Sequence, residues 1–292
     1  MNIFTIRDLE NLSGIKAHTI RIWEQRYSLL KPNRTDTNIR YYTNEDLRTI
    51  LNVALLKKFG FKISHINKMS PDDVSSKLKA LNTGEASQEK VINELIHLMI
   101  AIDNTGFEKY IDKQIARIGI KETITRILFP FFIRIGILWQ TGHINPAQEH
   151  LITNITRQKI IVGIDQAAPG YTRKKTFLLF LPEREFHEIG LLFVYFLLKK
   201  HGIEVCYLGA NVPINDARFV ADIKKSDYIY LHLTVAPQAF TTDKFLKMLS
   251  VNFRKRKIVI SGYLASDYRK PLPHNIQFIK SPADLVSFIS TL

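Results

Sequence analysis

The chain has 292 residues, of which 46% are hydrophobic, and its 41 Lys or Arg against 27 Asp or Glu give a formal charge of +14. That length admits two or three domains, and that charge favours a polyanionic partner. A single cysteine, Cys206, excludes an internal disulfide framework, and no apolar run has the length of a signal sequence or a bilayer span, so a soluble cytoplasmic protein is expected.

At the N-terminus, Thr5-Ile6-Arg7-Asp8 has the pattern of a capping box and starts a short helix. Ser13-Gly14-Ile15 is the turn after it. Lys16 to Tyr27 then predicts a second helix, with Ile20 and Trp23 on the apolar stripe and His18, Thr19, Arg21 and Arg26 on polar positions. Pro32 to Tyr42, which contains Arg34, Arg40 and Tyr41, predicts a basic hairpin. Thr43-Asn44-Glu45-Asp46 is a second capping box and opens a helix from Glu45 to Phe59, followed by a turn and short helix at residues 60–66. Residues 1–70 hold twelve Lys or Arg against six Asp or Glu. This order of capped helix, glycine turn, helix and basic hairpin resembles the MerR-family winged helix-turn-helix domain along its whole length. The resemblance implies that the second helix reads a double-stranded DNA operator and that the hairpin is a wing along the phosphate backbone. Lys16, His18, Thr19, Arg21, Arg26, Arg34, Arg40 and Tyr41 are then the DNA-binding residues.

From residue 71 to about 164 the pattern is helical. Val91, Leu95, Leu98 and Ile102 recur at helical spacing, as do Tyr110, Ile111 and Ile115. Ile124 to Trp139 is apolar almost all round, as in a central bundle helix. Gly106, Gly119 and Asn145-Pro146 punctuate the stretch. Trp139, followed after nine residues by Glu149-His150, resembles the signature of the helical bundle that caps the upper face of cobalamin in light-sensing transcription factors. That resemblance implies that Trp139 and Glu149 close over the upper ligand, with His150 beside them. In the light-sensing members a histidine follows the tryptophan. Here Gln140 stands there, and an amide is a poorer cobalt ligand than an imidazole.

Residues 165–173 contain Pro169-Gly170 and read as a linker. Beyond them, five apolar runs alternate with helical patterns: residues 176–181, 204–208, 228–233, 257–260 and 277–279. They predict a flavodoxin-like, doubly wound sheet. After the first run stands Glu185-Phe186-His187-Glu188-Ile189-Gly190. An acid two residues before a histidine can hold one ring nitrogen and leave the other for a metal. This resembles the cobalamin-binding motif acid-x-His-x-x-Gly, which implies that His187 is the lower cobalt ligand and that Glu185 orients it. In that family a Ser-x-Leu-like element and a Gly-Gly pair follow and admit the nucleotide tail of the cofactor. Counting forward from Gly190 reaches His232-Leu233-Thr234 and Ser261-Gly262, so His232 replaces a serine and Ser261 a glycine.

The expected fold class is multidomain α and α/β: a winged helix-turn-helix at 1–70, a helical bundle at 71–164, and a flavodoxin-like, Rossmann-type cobalamin-binding sheet at 174–292. The expected function is that of a DNA-binding regulator, a repressor similar to the light-dependent repressors of carotenoid synthesis genes, and not an enzyme. Its cofactor is adenosylcobalamin or methylcobalamin. A symmetric homo-oligomer, dimer or tetramer, is expected on a two-fold operator. Two other readings stay open. A regulator of the same fold that has lost cobalamin and senses a protein or another ligand is favoured by His232, Ser261 and Gln140. A corrinoid-binding methyltransferase subunit shares the cap and the sheet, but the winged helix argues against it.

Overall fold

The computed structural model describes residues 3–81, 84–140, 144–169, 172–234 and 241–292; the side chains of residues 79 and 137–140 lie outside the description. The chain packs as two compact units, Met1–Ile155 and Thr156–Leu292.

In the first unit, the Thr5 hydroxyl accepts from the Asp8 N–H while the Asp8 carboxylate accepts from the Thr5 N–H, closing the capping box of α1 (Ile6–Ser13). Gly14 ends that helix at φ 71°, a left-handed state that a Cβ would penalise. Helix α2 (Ala17–Tyr27) follows, with Ile20 and Trp23 buried. The hairpin is present but minimal: β1 (Asn33–Arg34) pairs antiparallel with β2 (Arg40–Tyr41). Thr43 and Asp46 form the same reciprocal cap on α3 (Asn44–Lys58), and α4 (Ile63–Ile66) comes next. A third capping box, Ser70 with Asp73, opens α5 (Pro71–Ala80) with proline in its first turn. The remaining helices are α6 (Gly84–Ile100), α7 (Asn104–Thr123), α8 (Phe129–Gln140) and α9 (Pro146–Asp165), which continues into the second unit.

One departure concerns the apolar stretch from Ile124. It begins as a π-helical turn, Ile124–Leu128, and joins α8 only afterwards. Gly119 leaves helical geometry (φ 79°, ψ 159°), and the hydroxyls of Thr123 and Thr125 donate back to the carbonyls of Gly119 and Lys121 at 2.8 and 3.0 Å. Hydroxyls inserted into the carbonyl ladder loosen the turn. Within this stretch Ile124, Ile127, Leu128, Phe131 and Ile135 are buried while Ile133 is 68% exposed, so burial is one-sided.

The second unit is a parallel sheet, in the order β4-β3-β5-β6-β7, with helices between its strands. The elements in chain order are β3 (Arg173–Pro182), α10 (Ile189–Lys200), β4 (Ile203–Val212), α11 (Ile214–Lys224), β5 (Tyr228–His232), α12 (Thr242–Asn252), β6 (Lys257–Ser261), α13 (Tyr263–Asp267), β7 (Ile276–Ile279) and α14 (Pro282–Ser290). The strands match the predicted ones, most of them extended by a few residues at their ends. Cys206, in β4, is partly buried against the core. Because β4 and β5 flank β3 on opposite sides, the strand order reverses at β3, which opens a crevice at its carboxyl end.

Side-chain alternation sorts the sheet into two faces. Leu178, Phe180, Ile229, Leu231, Leu233, Ile258 and Ile260 pack with residues of α11 and α12. The intervening residues face the other layer. There Phe177 stacks on Tyr228 at 4.5 Å, and Phe288 of α14 meets both rings edge-on. His232 and Ser261 fall on this second face by the same count. They are cross-strand partners in the β5–β6 ladder.

Candidate functional site

The predicted residues can be followed unit by unit: the predicted DNA-binding and capping residues lie in the first, and the remaining predicted cofactor residues in the second. In the first, α2 exposes His18, Arg21 and Arg26, with Lys16 exposed at its cap and Thr19 half-buried. Lys16 Nζ stands 3.1 Å from Glu10 Oε1. On the wing, Arg34 is exposed and its Nη1 donates to Asn38 Oδ1 at 2.6 Å, across the loop of the hairpin. Tyr41 is half-buried.

Arg40 has a second attachment that the sequence did not announce. Glu24 of α2 accepts the Tyr42 hydroxyl at 2.5 Å, and Arg40 Nε lies 4.0 Å from the same carboxylate. Burial, and then the hydrogen bond to Glu24, raise the Tyr42 phenol above its usual range. Tyr42, at the root of β2, is thereby tied to α2. Glu24, whose side chain is only 7% exposed, works inward and not toward a ligand.

In the second unit, Glu185, His187, Gly190, His232, Thr234, Ser261 and Gly262 all gather at the carboxyl ends of β3, β5 and β6. Glu185 is buried, 4% exposed, at the foot of the group. Its Oε1 accepts from the His187 N–H at 3.0 Å and contacts His187 Nδ1 at 2.6 Å. Its Oε2 accepts from the Thr234 N–H at 3.2 Å and the Thr234 hydroxyl at 3.0 Å. Burial by itself would raise this carboxyl. The hydrogen bonds from the His187 ring and backbone, the imidazole charge and the Thr234 hydroxyl outweigh it and hold the pKa at about 2. An ionised carboxylate on Nδ1 fixes the tautomer with the proton there and the lone pair on Nε2. The His187 side chain is 62% exposed, so the ring is both oriented and accessible. The loop that carries it is pinned to the end of β4: Asn211 Oδ1 accepts from the Arg184 N–H at 2.9 Å, and the Asn211 N–H donates to the Glu185 carbonyl at 3.2 Å.

Gly190 does admit something bulky to its helix, and the bulky group is a side chain of the same protein. A Cβ at Gly190 would lie 2.2 Å from both Cδ2 and Nε2 of His232. The imidazole occupies the notch that the glycine leaves, with Nδ1 2.8 Å from the Ser261 hydroxyl. Burial, partly offset by the Glu185 charge, pushes the His232 pKa down to about 4 and keeps the ring neutral. Gly262 is required by the backbone, since at φ 97° a Cβ there would meet the Leu233 carbonyl oxygen at 2.3 Å.

Glu188 was missed. Inside the motif, and half-buried, it accepts the Tyr207 hydroxyl at 2.9 Å and pairs with Arg157 of α9 at 3.1 Å. Nothing in its local spacing singles it out, because both partners come from other elements. Of the predicted capping residues, Glu149 accepts the Thr153 hydroxyl at 2.9 Å and lies beside the exposed His150. The side chains of Trp139 and Gln140 lie outside the described residues. Among the described residues, no group of three or more His, Cys, Asp or Glu is arranged to hold a metal ion, and no helix is long and apolar enough to cross a membrane.

Comparison with known proteins adds an independent line. A model described as MerR HTH family regulatory protein matches residues 4–72, and one described as B12 binding domain matches residues 91–162. The HTH-type transcriptional repressor CarH of Myxococcus xanthus is 29% identical over 243 residues, covering 81% of this chain and 80% of that protein. The HTH-type transcriptional repressor CarA of the same organism is 23% identical over 289 residues, covering 97% and 94%. The monomethylamine corrinoid protein of Methanosarcina barkeri superposes with a TM-score of 0.52 at 14% identity, covering 70% of this chain and all of that one, a likeness of fold.

Proposed function

We infer that this chain, a MerR-family regulator that carries a B12 binding domain behind its DNA-binding head, is a transcriptional repressor whose grip on its operator depends on cobalamin. The observation that carries the cofactor half is the Glu185–His187 pair. One imidazole, held by a buried carboxylate and accessible at the switch point of the sheet, is a poor site for a bare ion, which needs several ligands. It suits a metal that arrives already held in its own macrocycle and lacks one axial ligand. His187 Nε2 would supply that ligand from below. Trp139 and Glu149 would cover the upper face. When bound, the cobalt contributes a labile upper bond, chemistry that belongs to the cofactor.

The fit is complete at the histidine and incomplete beside it. A tail admitted at the carboxyl ends of β5 and β6 would need the notch at Gly190, which the His232 ring fills, so His232 and Ser261 are where this chain departs from an open channel. The head supplies the output: Arg21 and Arg26 on the recognition helix for base edges, Arg34 and Arg40 on the wing for phosphates. A two-fold operator would call for two or more copies of the chain.

The test is to incubate the protein with adenosylcobalamin, pass it through gel filtration and record the visible spectrum, for the parent and for His187→Ala. Retention by the parent and loss by the variant is the expected result, with a change in operator gel shift on loading. A parent that elutes colourless would leave the DNA-binding half standing and favour the cofactor-free regulator.

A further inference from the structure

Positive charge is not confined to the DNA-binding head. Residues 156–292 hold 20 Lys or Arg against 11 Asp or Glu, whereas residues 1–155 hold 21 against 16. At the end of the sheet opposite to His187, where β3, β5 and β6 begin, a groove of about 670 Å³ is lined by Lys175, Lys225, Arg254, Lys255, Lys257 and His274. These cations come from the starts of strands and the loops before them, so the topology of the parallel sheet, and no single basic run, brings them together. The one acid in the lining, Asp227, is engaged: Oδ2 accepts from the Thr176 N–H at 3.0 Å, and Lys175 Nζ stands 3.5 Å from Oδ1.

Two buried donors on residues of this lining have no acceptor among the described residues. They are the hydroxyl of Ser226, a residue 4% exposed, and Nε of Arg256, whose Nη2 is already spent on the Ala221 carbonyl and Asp222 at 2.9 and 2.7 Å. The exposed cations make the groove complementary to a polyanion. Its cations are strung along several loops, which matches a row of phosphates better than a single one. The one Phe, Tyr or Trp in its lining, Tyr228, is buried, so the groove offers no large apolar side chain to a bilayer.

We propose that this groove is a second, sequence-independent DNA contact, which takes the phosphodiester backbone of double-stranded DNA while the head reads the bases. The choice of DNA among polyanions rests on the DNA-binding reading of the head; the contact itself does not depend on cobalamin. It adds electrostatic affinity without sequence information.

The test uses the full-length protein and a random-sequence duplex of about six helical turns, titrated across a range of salt concentrations. The variant is Lys225→Glu with Arg254→Glu and Lys255→Glu, three exposed side chains; Arg254→Ala with Lys255→Ala is the milder form should the triple change impair folding. Loss of three phosphate contacts should flatten the log K–log salt slope by about 2 to 3 and weaken binding about tenfold or more at low salt. Arg21→Glu with Arg34→Glu serves as the background that disables the head: there the groove should sustain residual binding, and adding the groove substitutions should abolish it. If the salt slope is unchanged in both groove variants, the proposal is overturned. It is equally overturned if groove substitutions leave DNA binding intact and remove binding to phosphatidylserine vesicles, which would make the groove a lipid contact. No binding to DNA by the Arg21→Glu, Arg34→Glu background, with groove variants indistinguishable from the parent, would refute the groove while leaving the head's assignment standing.

Discussion

Substituting alanine at Gly190 should separate the part of the site that suits a cofactor from the part that this chain has closed. The new Cβ would lie 2.2 Å from two atoms of the His232 ring, against the roughly 3.5–4 Å at which carbon atoms rest in contact. More than an ångström of overlap must be relieved. The ring is held at 2.8 Å by Ser261, its cross-strand partner. Helix α10 is buried from Gly190 to Val194 and again from Phe196 to Leu198, so neither side yields freely. Overpacking of this kind costs about 1–3 kcal/mol. In a His232→Ser background the obstruction is gone, and alanine should instead gain up to about 1 kcal/mol from its helix propensity over glycine. The two substitutions should therefore couple by roughly 2–4 kcal/mol in a double-mutant cycle. The readout is urea-dependent hydrogen exchange of amides in β3, β5 and β6, because Trp23 and Trp139 both lie in the other unit. An equal cost of Gly190→Ala in both backgrounds would refute the placement of the ring. The same placement predicts that His232→Ser strengthens retention of cobalamin, whose tail needs the notch, and leaves retention of tail-free cobinamide unchanged.

Acid should destabilise the second unit: Glu185 is held at about 2 from a reference of 4.5, so it contributes roughly 3 kcal/mol that is present above pH 4.5 and lost as pH falls toward 2, and Glu185→Gln should remove that part of the acid dependence in a melting series. His232 is depressed from 6.5 to about 4, so the unfolded chain takes up its proton first; the resulting penalty is absent above pH 6.5 and grows as pH falls toward 4, and His232→Ser should flatten stability across that window. A parent whose melting temperature is constant from about pH 7 to about pH 3 would contradict both. Arg21→Glu should abolish a sequence-specific gel shift, whereas Arg34→Ala should weaken all duplexes by a similar factor with a salt slope smaller by about one; equal effects of the two would misplace the reading helix. Illumination of the adenosylcobalamin-loaded protein should yield no stable bis-imidazole spectrum, and Gln140→His should produce one; a bis-imidazole spectrum in the parent would assign the upper ligand to another residue.

Much of this protein is written in local sequence. The capping boxes at Thr5 and Thr43, the glycine stop at Gly14 and the buried stripe of Ile20 and Trp23 are short-range devices, set by spacings of three and four residues, and they emerge where the sequence places them. The five strands were equally legible, because a parallel sheet covered on both faces needs continuous apolar runs. Glu185 and His187 are two residues apart, so even their hydrogen bond followed from the sequence. What required the fold is everything that joins distant segments. Thr234 completes the hold on Glu185 from 49 residues away, Glu188 finds Arg157 and Tyr207 on other elements, and Arg40 and Tyr42 meet Glu24 across the wing. Sequence showed that His232 adds bulk at a position where the cobalamin-binding pattern has a small residue. Only the alternation of β5, which turns Leu231 and Leu233 to one layer and His232 to the other, decided that this bulk would land on Gly190. The basic groove is the extreme case: its cations lie in stretches far apart in the chain, and a parallel sheet gathers them because it aligns all its strand beginnings along one end.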